Sequence, residues 1–373
     1  MRIRNLPLAV VLLVAVHGSA FADTIVVPND QPTLQEAVDA AADGDTIVVK
    51  KNTYSENVVL DGKNNITIRG AGKPVIDGGG SGNCLTVKNA SGIVITKMVF
   101  TNGGDNGVLV QGSTDIEISK CSATDNGETR RFLGSGVRVE TSSDVTVEKS
   151  KFVDNHYGGI LLFDPGGNTV IDCTIEKNTC IGGQAGIDVQ GSGHTVRKNK
   201  VSGEPLFGIF LGANSANILV EKNLVKKATD YGLLVSNSSG HTFTKNKYLK
   251  CEELNVEGDD MTMDGEKILR SDGVALNFNA SNSTLRKLKV LGSASHGINI
   301  LGPNNLIEDC KVFQCRDGAA FRTSRKGTGN TFRRNVAKRN RSRDLDDNAG
   351  IGQNTYENNK FDPDKISPEG LEF

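Results

Sequence analysis

The chain has 373 residues, a formal net charge of -1, 43 glycines and no tryptophan. This charge argues against global electrostatic steering towards nucleic acid, and the glycine-rich, aromatic-poor composition argues against a helical bundle and favours short strands joined by turns. A repeat architecture grows along one axis, so the length does not require two domains.

The N-terminus has the pattern of a secretory signal. Arg2 and Arg4 precede an apolar run over residues 6–16, and Ala20-Phe21-Ala22 stands before Asp23. The run is too short to span a membrane. We therefore predict a signal peptide over residues 1–22, cleaved after Ala22, and an exported protein that is periplasmic or extracellular.

Residues 23–45 are predicted to form a strand and a capping helix. Thr33-Leu34-Gln35-Glu36 is a capping box, and the apolar residues that follow recur on one helical face as far as Gly44, which can end the helix. One amphipathic helix before a series of strands suits the end of a solenoid, whose first apolar side chains no preceding coil covers.

Residues 46–361 carry a repeat of short β-rich runs. From Leu85 onward the first inward residues are spaced by 20 to 29 positions. Such spacing predicts a solenoid of about twelve coils, with residues 362–373 as a tail. The inward residues are predicted to be Val58, Leu85, Val108, Val137, Ile160, Ile187, Ile209, Leu233, Leu254, Val274, Ile298 and Ala319.

A second alternating motif follows in nearly every unit and ends in Asn, Cys or Ser, as in the runs 194–199, 217–223 and 241–246. Asparagine at such a corner can bond to its copy in the next coil. With a third apolar run closing each coil, residues 46–360 resemble the pectate-lyase-like superfamily. This resemblance implies an all-β fold, a right-handed single-stranded parallel β-helix, and specifies little about the chemistry.

The residue before each strand-opening glycine forms a candidate column. Its early members are small turn formers, its middle members are aromatic, and its late members are ionisable. Ordinary turn chemistry is the competing interpretation. The column is predicted to contain Asn83, Asn106, Ser135, Gly158, Ala185, Phe207, Tyr231, Glu252, Asp272, His296 and Asp317.

The predicted catalytic group is Asp272, His296 and Asp317, on adjacent coils roughly 4.8 Å apart. Two flanking carboxylates would raise the pKa of His296 and prepare it to exchange protons near neutrality. That chemistry suits proton abstraction beside a uronate carboxylate. Hydrolysis is the alternative, because two acids roughly 9.6 Å apart lie near the upper limit for inverting glycosidases.

The predicted substrate-binding residues lie beside this group. Phe207 and Tyr231 can stack on sugar rings, and Arg322 can hold a carboxylate. Asn255 and Asn299 are placed at the central outward position of their strands. The next outward position is assigned to Glu257, Asn277 and Arg322. The full predicted binding set is Phe207, Tyr231, Glu252, Asn255, Asn277, Asn299 and Arg322.

These observations predict a carbohydrate-active protein, a polysaccharide lyase or epimerase acting on uronate-containing glycans. A glycoside hydrolase and a non-catalytic polysaccharide-binding protein remain alternatives. The resemblance to calcium-dependent pectate lyases makes calcium a possible ligand, with Glu252 as a candidate, although no metal-ligand spacing occurs in the chain. The expected partner is an anionic polysaccharide, with no nucleic acid and no membrane span, and the expected state is a monomer.

Overall fold

The computed structural model describes residues 22–127, 134–164 and 169–371. In these segments the chain winds as a right-handed parallel β-helix, and a typical coil contributes one strand to each of three sheets. Each strand pairs in parallel with the corresponding strands of the coils before and after it. The predicted fold class is therefore confirmed. The predicted signal peptide lies outside the described residues, apart from Ala22.

The three sheets are named in the order in which the chain enters them, and their strands are counted over the described residues. Sheet A has fifteen strands: Thr24–Val27, Thr46–Lys50, Thr67–Ala71, Ser91–Thr96, Thr114–Ser119, Ser143–Glu148, Thr174–Glu176, Thr195–Arg197, Leu219–Glu221, Thr242–Thr244, Thr262–Asp264, Thr284–Arg286, Leu306–Glu308, Thr331–Arg333 and Thr355–Glu357. Sheet B has thirteen strands: Thr53–Ser55, Val75–Asp77, Val99–Thr101, Ser122–Thr124, Lys151–Val153, Thr179–Ile181, Lys200–Ser202, Leu224–Lys226, Lys247–Leu249, Lys267–Ser271, Lys289–Ser293, Lys311–Phe313 and Val336–Lys338. Sheet C has fourteen strands: Val58–Asp61, Leu85–Lys88, Val108–Gln111, Ser135–Glu140, Gly158–Phe163, Ala185–Val189, Phe207–Leu211, Tyr231–Ser239, Glu253–Asp259, Leu276–Ser281, Ile298–Ile300, Phe321–Thr323, Leu345–Asp347 and Ile366–Ser367.

The solenoid is longer than predicted, with about fifteen turns in place of about twelve. The additional turns lie at the two ends. At the C-terminal end, the strand Leu345–Asp347 carries two acids and the strand Ile366–Ser367 has only two residues. Strands this short do not show a readable alternation of apolar and polar residues, so the repeat pattern did not reveal them.

The helix spans Leu34–Ala40 and covers the N-terminal end of the core with Leu34, Ala37 and Val38. Thr33 Oγ1 accepts a hydrogen bond of 3.1 Å from the amide of Glu36, as a capping box requires. A 3₁₀ turn spans Pro363–Lys365 near the opposite end. No helix in the described part of the chain is long and apolar enough to cross a membrane.

One hydrophobic core runs the length of the solenoid. It is built from the inward side chains of the three sheets, because successive residues of a strand face opposite sides. All seven cysteines are buried and carry free thiols. Burial disfavours the thiolate and raises the pKa of each of them.

Asparagines stack at the corner between sheets A and B, as the sequence predicts. The amide of Asn199 donates to Asn223 Oδ1 at 2.9 Å, and the amide of Asn223 donates to Asn246 Oδ1 at 2.8 Å. The left-handed backbone at this corner belongs to the preceding residue, which is Lys198 or Lys222 in these coils, with φ of 57° and 55°. The asparagines thus hold the corner by side-chain bonding, and their neighbours make the turn.

Two of the predicted inward residues are wrong. Leu276 and Phe321, and not Val274 and Ala319, pair with the inward residue Ile298 on the adjacent strands. In both coils a glycine is followed by several apolar residues, so alternation alone does not select the residue that faces the core. In the coils that contain Leu276 and Phe321, the chain enters sheet C two residues later than predicted. This displacement decides which side chains share a column at the candidate site.

Candidate functional site

The predicted alignment of Asp272, His296 and Asp317 is wrong. His296 stands two residues before an inward strand residue, and the equivalent residues on the adjacent coils are Val274 and Ala319. Asp272 and Asp317 lie at the preceding corner, where both are exposed. The side chain of Asp317 is 73% exposed. The catalytic roles assigned to these three residues stay a prediction, but no common edge holds them.

His296 lies half-buried at the start of a sheet C strand, and its Nδ1 accepts a hydrogen bond of 2.9 Å from the amide of Ala319. Burial lowers the pKa of His296, Arg322 lowers it further, and Asp346 and the Ala319 bond oppose the shift. The predicted upward shift is therefore wrong. With Nδ1 acting as an acceptor, the neutral ring carries its hydrogen on Nε2 and can donate from that atom.

Four predicted binding residues form one column on the outer face of sheet C. Asn255, Asn277, Asn299 and Arg322 are direct partners on four adjacent strands. The assignment of Asn277 and Arg322 to the next outward position was wrong, because the chain enters the later strands two residues further on. Asn299 Nδ2 donates to Asn277 Oδ1 at 2.8 Å, and Arg322 Nη1 approaches Asn299 Oδ1 at 3.4 Å. We call this column the amide ladder.

Charged side chains terminate the amide ladder beyond Arg322. Asp346 is the next residue of the column, and its Oδ2 lies 3.9 Å from Arg322 Nε. Asp346 Oδ1 also pairs with Arg343 Nη1 at 3.0 Å. Two arginines and one carboxylate thus meet at this end, which leaves a local excess of positive charge beside the amides.

The structure confirms that Phe207 and Tyr231 lie on neighbouring coils of sheet C. Their rings are stacked, with centroids 6.2 Å apart and planes 13° from parallel. Phe210, from the same strand as Phe207, packs 5.8 Å from the Phe207 ring. All three side chains are half-buried, so part of this aromatic cluster faces solvent on the side from which the amide ladder begins.

Glu253, and not Glu252, continues the column that contains Tyr231, because a register irregularity follows Tyr231. Glu253 accepts a hydrogen bond of 3.2 Å from Asn277 Nδ2 and so joins the amide ladder. Desolvation raises the pKa of Glu253, the Asn277 bond opposes this, and the charges of Glu252 and Asp230 raise it further. The sequence pattern missed Glu253 because nothing in it signals the irregularity.

Glu252 and Asp272 meet at the corner between sheets B and C. With Glu204, Lys227 and Lys250 they line an open cleft of about 320 Å³. Three acids and two lysines line it, so its charge is mixed. The structure therefore brings two predicted site residues together, but on the corner and not in the column that contains His296.

A buried polar cluster upstream on the same face was not anticipated. Asp188 is fully buried and accepts a hydrogen bond from the Tyr157 hydroxyl. Burial raises the pKa of Asp188 to about 7, and the bond from Tyr157 opposes this shift. Arg138 pairs with Glu140 at 2.5 Å and lies 4.2 Å above the Phe163 ring. Arg138 and Asp188 each occupy the central outward position of a sheet C strand. A charged residue at that position was the signal in the sequence that could have revealed this cluster.

A cation site does not emerge from the described residues. No group of three or more His, Cys, Asp or Glu side chains gathers in those segments in a way that could hold a metal ion. Calcium prefers six to eight oxygen ligands, and the corner that contains Glu252 mixes its acids with lysines. The residues therefore do not fit the calcium alternative, and no step of chemistry is derived through it.

Comparisons with known proteins place this architecture in a family. The family model described as "Right handed beta helix region" matches residues 42–225, 135–254 and 208–366. No curated protein matches the chain in sequence.

Solved structures of the same fold are similar at low identity. The A-module of the mannuronan C-5 epimerase AlgE4 from Azotobacter vinelandii is 15% identical, with a TM-score of 0.51 over 94% of this chain and 97% of that one. DFA-IIIase from Arthrobacter chlorophenolicus A6 is 13% identical, with a TM-score of 0.60 over 89% and 98%. A tailspike protein of E. coli bacteriophage HK620, in complex with a hexasaccharide, is 12% identical, with a TM-score of 0.60 over 90% and 71%. The matched residues and the architecture together show that this chain belongs to the right-handed β-helix family.

Proposed function

We propose that the outer face of sheet C binds a uronate-containing glycan and that the protein acts on it as a polysaccharide lyase or epimerase. The amide ladder carries this proposal. Asn255, Asn277, Asn299 and Arg322 stand on consecutive strands, so amides that can bond to sugar hydroxyls lead to a guanidinium that can hold a carboxylate.

The aromatic pair supports a saccharide as the ligand. Phe207 and Tyr231 lie on the coils just before the ladder, and their stacked rings are half-exposed. An apolar ring face beside a run of polar groups is the usual lining of a site that takes a sugar. The similar structures include a mannuronan epimerase and a tailspike protein bound to a hexasaccharide, and this fold-level analogy favours the same class of ligand.

The end of the ladder offers the means to stabilise charge. A lyase or epimerase transfers the proton beside a uronate carboxylate to a base, and the Asp346 carboxylate, 3.9 Å from Arg322 Nε, is a group at this end of the ladder that can accept it. The transfer builds negative charge on the uronate carboxylate, and a fixed cation lowers the energy of the transition state. Arg322 supplies the cation. His296, kept neutral by burial and by Arg322, can donate a hydrogen bond from Nε2 to the same sugar.

A non-catalytic glycan-binding role is the second candidate, and one observation favours it. Nδ1 of His296, the atom with the free electron pair in the neutral ring, already accepts the Ala319 amide. His296 is therefore not oriented to take a proton from a substrate. Hydrolysis by Asp272 and Asp317 has less support, because both acids lie at an exposed corner.

One set of assays separates these candidates. The purified protein is incubated with polygalacturonate, alginate and a neutral glucan, with and without calcium. Ultraviolet absorbance detects unsaturated uronate from a lyase, solvent deuterium incorporated into the polymer detects proton abstraction by an epimerase, and new reducing ends detect hydrolysis. Polyuronate binding without any of these signals would establish a binding protein, and absence of polyuronate binding would refute the proposal.

Replacement of Arg322 tests the site itself. Arg322→Gln removes the cation and keeps an amide, so polyuronate binding should weaken by roughly ten- to a hundredfold, the value of a hydrogen bond to a charged group. Binding of a neutral glucan should not change. Arg286→Gln is the matched control, because Arg286 pairs with Asp264 at 2.9 Å on sheet A. Equal effects of the two substitutions would contradict the assignment.

A further inference from the structure

Four lysines form a second column on a different face of the solenoid. Lys247, Lys267, Lys289 and Lys311 begin four adjacent strands of sheet B and are direct partners in its register. All four side chains are exposed. Adjacent strands put the backbones of neighbouring lysines roughly 4.8 Å apart. We call this column the lysine ladder.

The lysine ladder by itself destabilises the folded protein. Like charges directly opposite one another destabilise a sheet, and none of the four lysines forms an ion pair with another described residue. The whole chain has a net charge of only -1, so the run of cations is a local feature. An arrangement that costs stability and leaves its cations available fits an anionic partner.

The neighbouring outward positions define the shape of this surface. The third residue of each of the four strands also faces outward, and these residues are Leu249, Leu269, Leu291 and Phe313. Each is half-buried, while the lysine beside it is exposed. A half-buried apolar strip therefore runs parallel to a line of exposed lysines, and the residue between the two in each strand is buried.

This geometry favours a linear polyanion over an anionic bilayer. Insertion into a bilayer interface needs apolar groups that project from the surface, and here the apolar side chains are half-buried while the lysines are exposed. The exposed large hydrophobic side chains of the described residues lie elsewhere, at Val59, Ile171, Leu206 and Ile351. A chain with one acid per sugar, lying along the solenoid axis, could instead present successive carboxylates to successive coils.

We propose that the lysine ladder is a second glycan-binding site, which holds an acidic polysaccharide along the outer face of sheet B. The inference rests on the proposed function only in its choice of a glycan as the polyanion. Because sheets B and C are different faces of the solenoid, a long acidic chain could engage both sites of one molecule or link two molecules.

The test uses the full-length protein with polygalacturonate as the probe and dextran as the uncharged control. Lys267→Gln with Lys289→Gln removes two adjacent cations, and polygalacturonate binding at low salt should weaken roughly three- to tenfold, as expected for exposed charge pairs. Added salt should reduce the difference by screening. Lys97→Gln with Lys120→Gln is the control, because these exposed lysines stand on neighbouring coils near the N-terminal end.

A second measurement on the unaltered protein locates the contact. Carbodiimide couples a uronate carboxylate to a lysine amine within direct reach, and mass spectrometry identifies the lysine. Adducts concentrated on the four ladder lysines would support the proposal. Equal labelling of Lys97 and Lys120, or an unchanged affinity of the double variant, would overturn it, as would binding to anionic lipid vesicles without binding to polygalacturonate.

The two proposed glycan sites can be refuted separately. If Arg322→Gln weakens binding and the lysine variants do not, the sheet C site stands and the second site is refuted. If the lysine variants weaken binding and Arg322→Gln does not, the lysine ladder stands without the proposed function on sheet C.

Discussion

His296 shows how the surroundings of one residue decide its chemistry. A histidine near carboxylates would hold a proton more tightly, but partial burial and the Arg322 guanidinium outweigh the Asp346 carboxylate and lower the pKa of His296. The Ala319 amide fixes which ring nitrogen accepts a hydrogen bond. The residue is therefore a neutral hydrogen-bond donor at the pH where a protonated one was predicted.

The pKa of His296 can be measured by NMR titration of its ring protons. We expect it to lie below the ordinary histidine value, since burial and Arg322 both disfavour the imidazolium ion. In Arg322→Gln the pKa should rise, because a nearby positive charge is removed. Arg286→Gln should leave the titration unchanged, and a pKa of His296 that is insensitive to Arg322 would show that the two side chains do not interact.

Glu266 is a second residue whose environment alters its charge. It is fully buried in the corner between sheets A and B, where its Oε1 accepts the amide of Asn246 at 3.1 Å. Burial raises the pKa of Glu266 to about 8, against the hydrogen bonds from Asn246. At a pH between the ordinary glutamate pKa and this raised value, Glu266 is protonated in the folded protein and ionised in the unfolded chain. The free energy of unfolding should therefore fall as the pH rises through that range.

Glu266→Gln should remove that dependence, since glutamine keeps the acceptor for Asn246 and carries no charge. We expect little change in acid and a stabilisation on the order of 2–4 kcal/mol at alkaline pH, measured by urea unfolding across a pH series. Glu257→Gln, on the exposed outer face of sheet C, is the control and should have no such effect. Parallel pH profiles for the wild type and Glu266→Gln would contradict the prediction.

At the scale of the strand, glycine positions set where sheet C begins. A Cβ on Gly297 would lie 2.5 Å from the Ala320 carbonyl oxygen and 2.4 Å from Val312 Cγ1, so this position has no room for a side chain. Gly273 differs, because its Cβ would meet the flexible carboxylate end of Glu252 at 2.9 Å. Glycines that look equivalent in sequence therefore have different packing roles.

Gly297→Ala should destabilise the protein by about 1–3 kcal/mol, the usual cost of forcing an extra methyl into a packed interior. Gly273→Ala should cost less, because the Glu252 carboxylate can rotate away and the Glu252 carbonyl oxygen lies farther off, at 3.2 Å. The comparison is made by urea unfolding monitored by circular dichroism. A larger loss for Gly273→Ala than for Gly297→Ala would show that the entry to sheet C is packed differently from the structure described here.

The same packing explains which element boundaries the sequence could predict. Strands with clean alternation, such as Val108–Gln111, were placed correctly from their apolar residues. Strands after Asp272 and Asp317 were placed two residues early, because each follows a glycine and an unbroken apolar run. The amide ladder was consequently divided between two columns, although its three asparagines and Arg322 had all been identified as binding residues.

For the whole molecule, each coil contacts chiefly its two neighbours, so stability should be a sum of local terms. Asn199 and Asn223 share two hydrogen bonds of 2.9 and 3.0 Å, and their alanine substitutions should be coupled by about 0.5–3 kcal/mol. Asn199→Ala and Gly297→Ala lie several coils apart and should add to within about 0.5 kcal/mol. Double-mutant cycles in urea provide the measurement. Strong coupling between the distant pair would indicate that the solenoid does not behave as a linear array.

The sequence by itself determined the repeat, the parallel β-helix, the capping helix and the set of polar residues on the outer face of sheet C, because inward apolar residues and corner asparagines recur at every coil. Only the tertiary structure decided which residues share a column, that Asp188 and Tyr157 meet in a buried cluster on the outer side of sheet C, and that His296 has Arg322 and Asp346 as charged neighbours. Periodicity in a chain specifies which side of a strand faces the core. The register between coils depends on packing between residues about two dozen positions apart, which no local pattern reports.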